Sequence, residues 1–256
     1  MFARERQSEI MAHLGAHKSL QVQEAAIRFG VTEETIRRDL KTLERQGLLV
    51  RTHGGALLPD DSLVETPLRI REGINMLGKS LIGAAAARLV APGETVILDA
   101  STSALYVARH LKNRAGITVI TNAERIVMEL ADCPEINLIC TGGVLRHKSR
   151  SYTGRAAENA LQSYYADHLF FSCKGFNPLT GLSDATEADN EMRKIMLSRA
   201  RSRVFLCDHT KFDRVGFSTT ATLRDIHRII TDTPMPEDWQ KVVSEAGVDV
   251  IVAPAG

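Results

Sequence analysis

Two groups of side chains in this sequence have the types and spacings that can do chemistry. The first lies in VTEETIRRDLKTLERQG, residues 31–47, where Thr32, Thr35, Arg37, Arg38, Lys41 and Arg45 stand among apolar residues. Val31, Ile36, Leu40 and Leu43 recur at intervals of three to five residues, the repeat of a helix with one narrow apolar stripe. The hydroxyls and cations then fall mostly outside that stripe. Arginine pairs bidentately with guanine edges, lysine is mainly a phosphate contact, and threonine serves either role. The chemistry open to this face is contact with a nucleic-acid duplex; the plainer reading is a solvated helix surface. Asp39 cannot favour phosphate and reads as structural, orienting an arginine or a helix end.

The second group consists of small polar residues that follow short apolar runs. They are Asp99-Ala100-Ser101-Thr102-Ser103, Thr121-Asn122, Thr141-Gly142-Gly143, Ser172-Cys173-Lys174-Gly175 and Asp208-His209-Thr210-Lys211. Hydroxyls, glycine amides and helix N-termini suit a phosphate. Asp99 and Asp208 can accept hydrogen bonds from sugar hydroxyls, and Lys211 can neutralise charge. A phosphorylated sugar fits that combination. Each cluster also has a plainer role: Asp99 and the hydroxyls after it can cap the next helix, Thr141-Gly142-Gly143 can be an ordinary turn, and Asp208 with Lys211 can form a local ion pair.

The elements that must position these residues are written locally. Thr32 can cap the basic helix, Glu33 and Glu34 suit the positive end of its dipole, and Gly47 can end it in a left-handed conformation. Upstream, Ile10, Met11 and Leu14 predict a helix from Phe2 to Leu14, while Val22, Ala25, Ala26 and Phe29 predict another over Leu20 to Phe29, closed by Gly30. Gly30-Val31-Thr32 then has the form of the short turn in a helix-turn-helix. Downstream, Leu48 to Val50 and Ala56 to Leu58, joined by Arg51, Thr52, His53, Gly54 and Gly55, predict a small hairpin, or wing. Arg51 and His53 can reach a DNA backbone or minor groove from it.

After a poorly periodic stretch punctuated by Pro59, Pro67 and Gly73, the pattern changes. Helices over residues 79–90, 102–111, 123–130, 156–163 and 187–200 alternate with strands over 95–98, 117–121, 136–140, 168–172 and 203–207, and a last strand is expected at 248–252. Alternation of this kind predicts an α/β domain with a mostly parallel sheet covered on both faces. Ligands of such sheets sit outside the carboxyl ends of the strands, where all the polar clusters of the second group fall.

Composition sets the outer bounds. A chain of 256 residues accommodates one small domain and one larger one. The apolar run from Ala84 to Ala91 is broken by Arg88 and too short for a bilayer, and the N-terminus lacks a signal-peptide core; a cytoplasmic location away from membranes is expected. Cys133, Cys140, Cys173 and Cys207 are scattered without CxxC spacing, and His53, His110, His147, His168, His209 and His227 show no metal-ligand spacing, so neither a metal nor a cofactor is expected. Net charge is only +1, but between Arg37 and Arg51 five cations face two acids.

The segment TEETIRRDLKTLERQGLLVRTHGGA, with Arg6, Ile10 and Leu14 spaced ahead of it, resembles the winged helix-turn-helix of the DeoR family of bacterial transcriptional regulators. The resemblance implies that Thr32 to Gln46 is a recognition helix, with Thr32, Thr35, Arg37, Arg38 and Lys41 near base edges or phosphates. It extends over the rest of the chain, which looks like that family's sensor domain, similar in fold to ribose-5-phosphate isomerase. There it implies an effector pocket at Asp99, Ser101, Thr102, Thr121, Asn122, Gly142, Gly143, Gly175, Glu187, Asp208 and Lys211, to which Lys174 is added from its strand-end cluster. One departure bears on activity. The acid-rich strand-end motif of the isomerases is replaced by Ser172-Cys173-Lys174-Gly175-Phe176-Asn177, and Glu187 alone does not complete the pair of base and polarising group that isomerisation needs. Binding without catalysis is expected.

The expected organisation is a winged helix-turn-helix over residues 1–57, a linker over 58–75, and a sugar-phosphate-binding and oligomerisation domain over 76–256. The expected partners are double-stranded operator DNA, a phosphorylated sugar effector and further copies of the chain, as a homodimer or homotetramer. The function implied is repression of a carbohydrate-catabolic operon, relieved by the effector. Activation through the same helix and turnover of a sugar phosphate are the alternatives.

Overall fold

The computed structural model describes residues 2–254 apart from 18, 46–47, 53 and 58–64, and the chain divides into two compact units, Met1–Met76 and Leu77–Gly256. In the first, α1 (Ala3–His17), α2 (Val22–Phe29) and α3 (Glu33–Arg45) enclose a core that includes Ile10, Leu14, Ala25, Ile36, Leu40 and Leu43. Gly30 closes α2 in the left-handed conformation, its N–H directed to the carbonyls of Ala26 and Ile27. Three short strands, β1 (Ser19–Gln21), β2 (Val50–Arg51) and β3 (Gly55–Leu57), form an antiparallel sheet in the order β1-β3-β2.

The wing is therefore three-stranded, and this corrects one element boundary. Ser19–Gln21, read partly as the start of a helix, is a strand because Leu20 pairs with Ala56, and α2 begins only at Val22. The approach is close: a Cβ on Gly55 would lie 1.9 Å from the Leu20 carbonyl oxygen, so only glycine fits there. Part of the stretch read as a linker, residues 58–64, lies outside the described residues. Further on it folds as α4 (Leu68–Gly73), whose buried Ile70 joins the core of the first unit.

One polar contact fixes α1 against α3. Arg6 Nε donates to Asp39 Oδ2 at 2.5 Å and Gln7 Nε2 donates to Asp39 Oδ1 at 2.9 Å. Both members of the Arg6–Asp39 pair are buried, so each depends on the other for the charge compensation that water would otherwise supply. Asp39 is structural, as its sign suggested.

The second unit begins with α5 (Met76–Ala87), apart from its first residue. It continues through β4 (Thr95–Leu98), α6 (Thr102–Leu111), β5 (Ile117–Thr121), α7 (Glu124–Leu130) and β6 (Ile136–Cys140) to a hairpin of β7 (Val144–Arg146) and β8 (Ser151–Thr153). Next come α8 (Arg155–Gln162), β9 (Ala166–Phe171), β10 (Gly175–Asn177), β11 (Gly181–Asp184), α9 (Glu187–Arg199), β12 (Ala200–Leu206), β13 (Ser218–Ala221), β14 (Arg228–Thr231), α10 (Glu237–Glu245) and β15 (Asp249–Val252). Seven strands form one sheet in the order β15-β14-β12-β9-β4-β5-β6, and every adjacent pair is parallel.

Alternate residues of each strand point to opposite faces, and the two cores follow that rule. Val96, Leu98, Phe170, Val204 and Ile230 pack with α5, α6 and α7. Ile97, Leu169, Phe171, Phe205 and Ile229 pack with α8, α9 and α10. All the expected strands are present. The sequence reading missed β14, the β7–β8 hairpin and a small antiparallel sheet of order β10-β11-β13. Trp239 packs edge-on against Phe176 with ring centroids 5.7 Å apart. No helix of the described residues is long and apolar enough to cross a membrane.

Replacing Asp39 by Ala removes the carboxylate that the buried Arg6 Nε and Gln7 Nε2 both meet. The expected loss is about 3–5 kcal/mol of stability for the first unit, read as a lowered denaturant midpoint of its unfolding transition. A loss below about 1 kcal/mol, the level of an exposed pair, would contradict the role given to this contact.

Candidate functional site

The first candidate surface is the outer face of α3. Thr32 accepts a hydrogen bond from the Thr35 amide at 3.3 Å, and the two hydroxyls lie 2.9 Å apart, so Thr32 begins the helix while remaining exposed. Ile36, Asp39, Leu40 and Leu43 turn inward, which leaves Arg37, Arg38 and Lys41 exposed. Arg51 joins them from β2. A hollow of about 500 Å³ is lined by Glu34, Arg37, Arg38, Lys41, Thr42, Arg45 and Arg51, a cationic concavity suited to a phosphate backbone. Arg37 pairs with Glu33 at 2.9 Å and Arg51 with Glu44 at 2.8 Å. Arg38, Lys41 and Arg45 form no ion pair within the described residues. His53, also expected at this surface, lies outside the described residues, as do Gln46 and Gly47, expected to end the helix.

The second candidate site lies at the carboxyl edge of the parallel sheet. Asp99, just past β4, is 1% exposed. Its Oδ1 accepts from the Ser101 amide at 3.1 Å, and its Oδ2 accepts from the Ser172 amide at 3.4 Å and from Arg193 Nε at 2.9 Å. Arg193 Nη1 also lies 2.9 Å from Asp184 Oδ2, though without a hydrogen-bonding angle. Burial opposes the charge on Arg193, but Asp184, Asp99 and Asp189 more than offset it and hold the guanidinium protonated. Asp99 therefore spends its carboxylate on the protein, where the sequence alone suggested a contact for sugar hydroxyls.

Asp189 extends this network into the β7–β8 hairpin. It accepts from Arg146 Nη1 and from the Thr186 hydroxyl through Oδ2, the latter at 2.8 Å, and from the Ser151 hydroxyl through Oδ1 at 3.0 Å. The hairpin is tied to the end of β5 as well, since Asn122 Nδ2 donates to the Tyr152 carbonyl at 3.0 Å. Burial pushes the Asp189 carboxyl up, yet Arg193 and Arg146, with the hydrogen bonds from Arg146 and Thr186, bring it below the ordinary aspartate value.

A further cluster stands past β12. Asp208 is fully buried and accepts from the Thr210 amide at 3.1 Å and from its hydroxyl. Lys211 Nζ lies 3.7 Å from Asp208 Oδ2. Burial again pushes this carboxyl up, but the charges of Lys211 and Lys79 and the Thr210 contacts hold it below the ordinary range. Cys173 lies between the two clusters; burial and Asp184 push its thiol up to about 12, against Lys211 and Arg193.

The sequence-predicted residues thus divide by role. Ser101 caps α6, accepting from the Ala104 amide at 3.1 Å, and Thr121 accepts from the Ala123 amide at 3.0 Å while donating to the Leu98 carbonyl. Thr102 is buried at the start of α6, Lys174 is half-buried, and Glu187 is exposed at the start of α9. Gly142 and Gly143 both have positive φ, at 62° and 111°. Gly175 has a structural reason for being glycine: a Cβ there would lie 2.1 Å from the Arg214 carbonyl oxygen.

Among the described residues, three buried oxygens at this edge have no hydrogen-bond partner: Ser103 Oγ, Asn122 Oδ1 and Asp208 Oδ2. Buried polar atoms normally find partners, so these three are candidates for contact with a bound molecule. Sequence reasoning missed Arg193, Lys79, Asp184, Asp189 and Arg146. A signal existed for two of them: Lys79 stands in phase with Ile82 and Ala86, and Arg193 with Asn190 and Leu197, so each cation falls on the inward face of its helix.

Comparison with known proteins follows the same division. Residues 6–62 match the DeoR-like helix-turn-helix domain and residues 74–233 the DeoR C-terminal sensor domain. Over 254 residues, covering 99% of this chain and 98% of the relative, the sequence is 38% identical to YulB of Bacillus subtilis, described as an uncharacterised HTH-type transcriptional regulator. It is 31% identical over 252 residues to the HTH-type transcriptional repressor GlcR of the same organism, covering 98% of this chain and 97% of the relative. Among solved structures, ribose 5-phosphate isomerase A of Methanocaldococcus jannaschii overlaps 53% of this chain and 54% of its own, at 20% identity and a TM-score of 0.40.

A carboxyl held low in the folded state contributes stability that is complete above its unfolded value, about 3.9, and is lost as pH falls through the folded value. Asp189 and Asp208 both belong to this class. Asp189→Asn is therefore expected to reduce the loss of stability between about pH 6 and about pH 3 relative to the parent chain, measured by denaturant unfolding at each pH. An acid dependence identical to that of the parent would exclude Asp189 as a contributor.

Proposed function

The chain belongs to the DeoR family of DNA-binding transcriptional regulators, and from that premise we propose that it is a repressor released from operator DNA by a phosphorylated sugar. The carrying observation is that Lys211 and Lys79 stand by the buried Asp208, at the same carboxyl edge where, among the described residues, Ser103 Oγ, Asn122 Oδ1 and Asp208 Oδ2 lack hydrogen-bond partners. Two cations suit a phosphate, and Ser103, Asn122 and Asp208 supply oxygens for sugar hydroxyls. Asp99 acts behind them through Arg193. Thr102, Lys174, Gly142, Gly143 and Glu187 complete the surroundings, with Ser101, Thr121 and Gly175 holding the backbone in place.

The site binds without turning its ligand over. Abstraction of a proton beside a carbonyl needs a free base within reach of it; Asp99 is paired with Arg193, Asp208 is held ionised beside Lys211, and Glu187 stands exposed at a helix start. Repression accords with the relative GlcR, which is named as a transcriptional repressor. On this reading the chain acts in the cytoplasm as a homodimer or homotetramer, because one small winged helix seldom supplies a full operator affinity.

Release follows from linkage. The effector must bind the arrangement that cannot hold DNA more tightly than the one that can, and moving that balance from one side almost wholly to the other takes about 5.5 kcal/mol.

Footprinting upstream of the chain's own gene, with and without a panel of sugar phosphates, tests the whole reading. Salt-sensitive protection at a discrete site, lifted by one member of the panel, is the expected result. Arg38→Ala should weaken that protection. Lys211→Ala should preserve it and remove the response to the sugar phosphate, along with the thermal stabilisation that ligand gives the parent. Protection indifferent to every sugar phosphate, or a panel member consumed in a turnover assay, would overturn the proposal.

A further inference from the structure

The cationic hollow of α3 and β2 comes with anions of its own. Of the five cations that line it, Arg37 is held by Glu33, with side chains 50% and 40% exposed, and Arg51 by Glu44, at 38% and 39%. Glu44 takes two donors of the wing residue: Oε2 accepts from Arg51 Nε at 2.8 Å and Oε1 from the Arg51 amide at 3.4 Å. Neither Glu33 nor Glu44 lines the hollow itself. Exposed pairs of this kind contribute little to folding, and although Glu33 also suits the positive end of the α3 dipole, that role does not require it to hold Arg37. A carboxylate that accepts from a guanidinium and a backbone amide together occupies two donors that a DNA phosphate could otherwise take.

We propose that Glu33 and Glu44 are internal substitutes for DNA phosphates, holding Arg37 and Arg51 until a duplex displaces them and thereby weakening attachment to DNA of arbitrary sequence. Phosphates are present on every duplex, so an arginine free to meet them adds affinity everywhere. An arginine already paired must exchange one anion for another, and the released carboxylate then repels the backbone beside it. Arg38, Lys41 and Arg45, which form no ion pair within the described residues, supply the initial attraction. The proposal rests on the assignment of α3 to DNA, and Arg38 gives that assignment a separate control.

The experiment uses the full chain, a fluorescein-labelled duplex of random sequence, and anisotropy titrations across a salt series. Glu33→Gln and Glu44→Gln are each expected to tighten binding by about two- to fivefold at low salt, with the double variant giving about the product of the two. The gain should shrink as salt rises. Arg38→Ala should weaken binding. If it does while both glutamine variants bind as the parent does or more weakly, the proposal fails and the DNA face stands. If Arg38→Ala binds unchanged, the face itself is misassigned. Should Glu44→Gln loosen the wing, seen as a lowered melting temperature, Glu33→Gln decides the matter alone, since it sits on the exposed face of α3.

Discussion

Arg193 places a full positive charge where water cannot reach it, and the carboxyl edge of the second unit is organised around that fact. Removing such a charge from water costs several kcal/mol, and the cost is met only because Asp99 and Asp184 lie against it and Asp189 stands close by. Those aspartates belong to the end of β4, the end of β11 and the first turn of α9, and through Asp189 to Arg146 the network reaches the β7–β8 hairpin. Moving any one of these elements would expose the others to uncompensated charge. The same network engages both oxygens of Asp99 with the protein, while Ser103, Asn122 and Asp208 each keep, among the described residues, one buried oxygen without a hydrogen-bond partner.

The first unit uses a smaller version of this arrangement. Arg6 and Asp39 are separated by 33 residues in sequence and Arg193 and Asp99 by 94, so each pair joins elements that the chain alone does not bring together. In the first unit the joined elements are α1 and α3, and what the pair holds in place is the rotation of α3. That rotation decides which side chains face outward, and with them the position of the cationic hollow. A buried pair here holds the helix that carries the cationic face; in the second unit it holds the carboxyl edge of the sheet. In both, the acid is engaged by a buried arginine of the protein itself.

The parts legible in the sequence are those whose causes lie within a few residues. The apolar stripe Ile36-Leu40-Leu43, the Thr32 cap and the Gly30 turn are all local, and α3 forms as they require. The β-branched runs 95–98 and 117–121 and the helices between them are equally local, and their alternation was enough to place the polar clusters at one sheet edge. Where structure depends on a distant partner, the reading failed. Ser19–Gln21 is a strand because β3 lies beside it, not because of its own composition. Arg228–Thr231 is too short a run to announce itself, yet parallel pairing with β12 and β15 makes it interior. Lys79 and Arg193 could have been found, since both sit in phase with apolar neighbours.

Taken alone, the sequence determined two units, a basic helix after a glycine turn, and an α/β sheet with hydroxyls, glycines and aspartates at its carboxyl edge. These follow from periodicity, capping and turn chemistry, which act over one or two helical turns. Only the tertiary structure decided which of those polar groups are already occupied. Asp99 is consumed by Arg193, Arg37 and Arg51 are held by Glu33 and Glu44, and Asp208 keeps one oxygen unbonded near two lysines. Charges choose partners through space, with a strength set by burial, and neither distance nor burial can be read from the order of residues along the chain.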